Sequence, residues 1–195
     1  MPFDTSRFID PFKPADGPPP ATLMRYIGWL LRGAWPVISV ACVLSAIAGT
    51  VEVGSAWILG AVIDRATAAG PDLAFTGESL TMILIALAFF MLARPVLMGL
   101  SSAANTLFIM PNVWSLTLSR PHRWTMGQSV TYFDNDFAGR ISQKQMQSAS
   151  AMTEVSMETI NSVVFAMSSI IGAAVLIFTI DPWLVAGFGV WFIGY

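Results

Sequence analysis

"SVTYFDNDFAGRIS", Ser129 to Ser142, is a polar, turn-forming island in a chain that is otherwise mostly apolar. It carries Tyr132, Phe133 and Phe137 around an Asp134-Asn135-Asp136 cluster, and it leaves through Ala138 and Gly139. The flanking stretches "NVWSLTLSR" (from Asn112) and "RISQKQMQSASAMTEVSMETI" (from Arg140) hold few helix breakers. They are expected to be two stalk helices with the island at their far tip. Asp and Asn side chains can cap a short helix by accepting backbone N–H bonds. Gly139 is expected to relieve the backbone at the exit. Three aromatics are too apolar for a freely solvated tip, which points to a docking knob for another protein. The competing reading is an ordinary turn with a little core of its own.

Composition frames that island. Of 195 residues 55% are hydrophobic and 11% charged, and the mean hydropathy is +0.65. Soluble domains carry about 25% charged residues, so the chain reads as an integral membrane protein of the plasma or inner membrane. The single cysteine, Cys42, excludes an internal disulfide, and no Cys/His cluster suggests a metal. His122, between Arg120 and Arg123, reads as a solvated surface residue. No catalytic residue is assigned, and no nucleic-acid partner is expected.

Residues 1–20 hold six prolines and are expected to be an irregular or disordered lead-in. From 21 to 36, Leu23, Ile27, Leu30 and Leu31 recur at helical spacing with Arg25 and Arg32 off the stripe. Tyr26, Trp29 and Trp35 suit the headgroup zone, so this reads as an amphipathic helix on the membrane surface. Its alternative is the start of the first span, since Pro36 fits a first turn. Apolar segments at about 37–63, 80–110 and 160–180 each meet the ~20 residues that cross a bilayer. A fourth begins near Trp183, and thirteen residues to Tyr195 rise only about 20 Å. The chain is therefore expected to be a fragment of something longer. The fold class is an all-α polytopic bundle: a surface helix, three complete spans, a truncated fourth and long cytoplasmic extensions at about 111–155.

Charge placement orients it. Arg7, Lys13, Arg25 and Arg32 precede the first span, and Arg120, Arg123, Arg140 and Lys144 lie between the second and third. The 64–79 loop sets Arg65 against Asp64, Asp72 and Glu78. The positive-inside rule then places the N-terminus and the 111–155 segment in the cytoplasm.

"YFDNDFAGRI" followed by a polar helix resembles the first intracellular loop of ATP-binding-cassette exporters. There a Tyr-Phe-Asp or Phe-Phe-Asp step leads to a short coupling helix. The 21–36 segment resembles that family's elbow helix, and "IDPWL", Ile180 to Leu184, its tight external turn. The resemblance covers nearly all of 21–195, which it makes a type 1 transmembrane domain. It implies one half of an ATP-driven transporter, dimerised, with a nucleotide-binding domain using ATP and Mg and moving an amphipathic or lipid-like solute. It also implies that Tyr132, Phe133, Asp134, Asn135, Asp136, Phe137, Ala138 and Gly139 couple to that domain. No ATPase domain is present in the chain. A phosphate loop needs Gly-x-x-x-x-Gly-Lys-Ser/Thr, and Lys13 precedes Pro14 while Lys144 precedes Gln145. The chain therefore holds no cofactor and no ATPase chemistry of its own. The alternative function is a small polytopic scaffold or assembly protein without ATPase coupling.

Glu52 and Arg94 stand well inside apolar segments, where an unpaired charge is costly. Their depths differ by roughly 4–5 Å on a 1.5 Å rise, a gap that long side chains close. They are expected to pair, as a staple between helices or as a polar point on the solute path, with snorkelling or water access as the remaining reading. Pro95 is expected to kink the second helix. Ser45/Gly49, Ala56/Gly60 and Ser168/Gly172 allow close helix packing. The Met-rich stretches read as core or lipid-facing residues rather than a ligand site.

Overall fold

The computed structural model describes residues 7–70, 77–134 and 138–194, and every regular element among them is helical. The protein is an all-α membrane bundle. Three runs are long and apolar enough to cross a membrane, Trp35–Ala68, Gly77–Met126 and Gly139–Ile180, and a shorter apolar helix covers Pro182–Gly194. The second and third runs have 50 and 42 residues. That is well beyond the ~20 a span requires, so both continue past any hydrocarbon layer. Contacts divide the chain into two compact units: Met1–Cys42 with Ser102–Ile160, and Val43–Ser101 with Asn161–Tyr195.

In the first unit, helix α1 (Leu23–Leu30) is separate from α2 (Trp35–Ala69). Gly33, at φ +95°, makes the break, a left-handed conformation that costs glycine least. Pro36 sits in the first turn of α2, where its missing N–H would have had no partner. Two further helices, α5 (Met110–Met126) and α7 (Ala138–Glu158), pack along each other as the stalks. Ile109, just before α5, and Val113 and Leu116 on it repeat at helical spacing and are buried with Trp29, Leu30, Leu31, Met152 and Ile160. Buried α7 residues include the small Ala149, Thr153 and Ser156. Thr153 and Ser156 return their hydroxyls to Ala149 O and Met152 O four residues back, which satisfies them inside the contact.

From Arg7 the lead-in is irregular, as its prolines require, and it is docked. Ile9 is 1% exposed in the core, and Ser119 Oγ donates to Pro11 O at 2.7 Å. One buried apolar anchor and a few carbonyl bonds hold a chain that has no ladder of its own.

In the second unit, the far part of α2 lies against α8 (Phe165–Ile180). A Cβ on Gly49 would run into Ser168 Oγ and Phe165 O, and one on Gly172 would meet Val53 at 3.3 Å. Ser169 Oγ donates to Gly49 O at 3.1 Å. Gly49, Ser168 and Gly172 thus form the close contact that their spacing suggested. Gly60 has open space around it and does not. Between α8 and α9 (Pro182–Gly194) the turn is set by "DP". Asp181 is extended, its Oδ1 accepts Trp183 N–H at 2.9 Å, and Pro182 takes the first helical position.

The second long run begins with α3 (Gly77–Ala88) and includes α4 (Arg94–Ala103). π-helical turns cover Phe89–Ala93 and Ala104–Ile109. Arg94 N–H bonds to Phe89 O and Met110 N–H to Asn105 O, each five residues back. Pro95 and Pro111 follow directly. A proline ring strikes the carbonyl four residues earlier, and the wider π turn accommodates it. The distortion at Pro95 therefore takes the form of a π turn on its N-terminal side. A third π turn, Thr159–Val164, has no proline after it.

Candidate functional site

The stalk tip belongs to the first unit. Helix α5 ends at Gly127, and Gly127 N–H bonds to Trp124 O at 3.2 Å. A short helix, α6 (Val130–Asp134), comes next, with Tyr132 N–H on Ser129 O at 3.0 Å. Val130 is 76% exposed and Tyr132 45%, while Phe133 is half-buried with its ring edge-on to Tyr132 at 5.4 Å. The short helix contains the Tyr-Phe-Asp step, with Asp134 at its C-terminal end, and the rest of the expected Asp134-Asn135-Asp136 cap lies outside the described residues. One expectation is corrected here. Gly139 lies inside α7 with no positive φ, so it relieves nothing there. Ala138 is the first residue of α7. Asn135, Asp136 and Phe137 lie outside the described residues.

Glu52 and Arg94 belong to the second unit, and the structure brings them together. Arg94 Nη2 donates to Glu52 Oε1 at 2.9 Å and to Oε2 at 2.8 Å. The side chains are 37% and 44% accessible. Arg94 is the first residue after the Phe89–Ala93 π turn. An added residue in a helical turn rotates the helix beyond it, so the π turn helps aim the guanidinium at Glu52.

A third arrangement was not foreseen. Arg120 is 3% exposed and donates only to backbone carbonyls. Its Nη1 reaches Trp29 O at 2.6 Å and Leu30 O at 2.7 Å, Nη2 reaches Arg32 O at 2.5 Å, and Nε reaches Lys13 O at 3.3 Å. The last carbonyls of a helix have no intrahelical donor and carry its negative end. One guanidinium therefore caps α1 and ties the lead-in to α5. Burial pulls the Arg120 pKa below its ordinary value; Arg32 adds to that and Asp16 opposes it. An arginine stays charged under such a shift. The signal was present in the sequence: 109, 113, 116 and 120 form one helical stripe, so Arg120 is in register with the apolar residues. His122 is exposed, as its flanking arginines suggested, and lines an open cleft of about 470 Å³ with Phe12, Trp114 and Gln145.

No protein-family profile and no solved structure matches the chain. A curated protein does. An "uncharacterized ABC transporter ATP-binding protein" of Haemophilus influenzae is 26% identical over 176 residues, covering 90% of this chain and 28% of that protein. The chain is similar to an ABC-transporter protein. It spans little more than a quarter of that relative's length. Together with the three long apolar helices, this supports a transporter-related role in a membrane. Among the described residues no group of His, Cys, Asp and Glu is placed to hold a metal ion.

Proposed function

We propose that the chain is membrane-domain part of an ATP-driven exporter of the ATP-binding-cassette type, moving an amphipathic or lipid-like solute out of the cytoplasm. The observation that carries this is the similarity to an ABC-transporter protein along 90% of the chain. The paired stalks α5 and α7, with exposed Val130 and Tyr132 on the short α6 at their tip, supply the mechanical part. On this reading the tip docks in a groove of a nucleotide-binding domain, carried on the same protein or on a partner chain. ATP and Mg act there, and two such halves work together. Closure of the ATPase domains displaces the tip, and a packed two-helix stalk transmits the displacement to the spans. The aromatics give contact area and Asp134, with the acidic and amide residues after it, gives orientation. The N-terminus and stalks are then cytoplasmic.

The test is Tyr132→Ala and Phe133→Ala in the protein together with its nucleotide-binding domain. The tip lies away from the buried core, so folded yield should stay close to wild type. Losing an aromatic anchor costs about 2 kcal/mol or more of contact energy, comparable with the few kcal/mol separating conformational states. Transport and solute-stimulated ATP hydrolysis should fall while basal hydrolysis persists. Wild-type transport in both variants overturns the coupling role, and loss of folded protein assigns the tip to a local core.

A further inference from the structure

We propose that the Glu52–Arg94 pair is a hydrogen-bonding point for the polar end of the transported solute, an amphipath whose headgroup offers acceptor oxygens and carries no net charge. This deepens the function proposed above and rests on it. A pair whose only task is to staple two helices in hydrocarbon would have its donors filled. Here both Glu52 oxygens are taken by a single nitrogen, Arg94 Nη2. Nε and Nη1 of Arg94 hold no bond to any described residue, and the side chain is 37% accessible. Three guanidinium N–H groups cannot face lipid tails unpaired, because hydrocarbon offers no acceptor and charge there is costly. On this proposal a water-filled path, and what travels along it, satisfies them. The π turn immediately before Arg94, which accommodates Pro95, also turns the helix so that this side chain meets Glu52.

The electrostatics narrow the solute. Glu52 cancels the charge of Arg94, so no net field gathers anions or cations. What remains is a row of N–H donors beside carboxylate lone pairs, a match for ester, phosphodiester or amide oxygens and for a zwitterionic headgroup. The remaining contacts of such a molecule are apolar and fall to the surrounding spans.

Water access is read first, on resting protein with its nucleotide-binding domain in a Cys42→Ser background. Single cysteines replace Ala56 and Met98, one turn beyond Glu52 and Arg94, and Val96 on another face of α4. A membrane-impermeant sulfonated methanethiosulfonate should modify positions 56 and 98, and position 96 at least about tenfold more slowly if that face meets hydrocarbon. Protection of both 56 and 98 overturns the proposal. The second measurement is ATP-driven uptake of a fluorescent lysophosphatidylcholine into proteoliposomes. The exchanged pair Glu52→Arg with Arg94→Glu keeps the attraction and reverses its direction. It should recover folded yield relative to Glu52→Gln or Arg94→Gln, yet leave KM raised about tenfold, the loss of one good hydrogen bond. Wild-type KM in the exchanged pair overturns the proposal and leaves a staple. Preference for an anionic lysophosphatidic acid probe overturns the assigned headgroup. A wild-type protein that drives no ATP-dependent transport overturns the function above, and the labelling result stands apart from that outcome.

Discussion

At Arg120 a single side chain fastens three pieces of backbone. It is buried with carbonyl partners from Lys13, Trp29, Leu30 and Arg32. A net hydrogen bond to a charged donor is worth about 1.5–3 kcal/mol, and a buried acceptor left empty costs a comparable amount. Arg120→Gln should therefore destabilise the protein by roughly 3 kcal/mol or more and release the α1 end. Trypsin cleavage after Arg25 and Arg32 in the native protein would report that release. Arg120→Lys should fall between, since an ammonium cannot spread its donors over a fan of carbonyls as a planar guanidinium does. Equal protease resistance in wild type and Arg120→Gln would deny the latch. Arg123, three residues on and exposed, should tolerate Gln within about 0.5 kcal/mol.

Among the elements, the α2–α8 contact depends on the absence of side chains. A methyl on Gly49 meets Phe165 O at 2.6 Å and Ser169 Oγ at 3.0 Å as well as Ser168. A main-chain carbonyl cannot rotate away, so Gly49→Ala should cost about 1–3 kcal/mol, the usual range for overpacking. Gly60→Ala meets nothing and should be neutral or gain up to about 1 kcal/mol from helix propensity. Thermal unfolding in detergent checks both, and equal midpoints would show that the helices separate without loss. The two small-residue pairs look alike in sequence. Only the partner helix distinguishes them, and its placement is a tertiary fact.

For the bundle as a whole, the proposed orientation rests on eight Lys and Arg residues set on one side against Arg65 on the other. Single cysteines at Thr76 and Gln128, in a Cys42→Ser background, should react with an impermeant thiol reagent from opposite sides of the membrane. Labelling of both from outside overturns the orientation and with it the docking of the tip. The two sites of interest belong to different compact units, the tip to one and the ion pair to the other. Tip variants should therefore leave the labelling pattern around Glu52 and Arg94 unchanged in resting protein.

The helical membrane class, the three long apolar helices and the pairing partners Glu52 and Arg94 were legible in the primary structure. They come from composition and period, which act locally: about twenty apolar residues must be helical in hydrocarbon because no other arrangement satisfies their backbone. The "DP" turn was legible for the same reason, since Asp181 and Pro182 act on neighbouring N–H groups. Long-range packing settled that the proline-rich lead-in docks. It also settled that Arg120 faces inward and that only Gly49 of two similar glycines lies at a contact. Each of these depends on groups 88 to 120 residues away in the chain. A residue's own propensity does not carry that information.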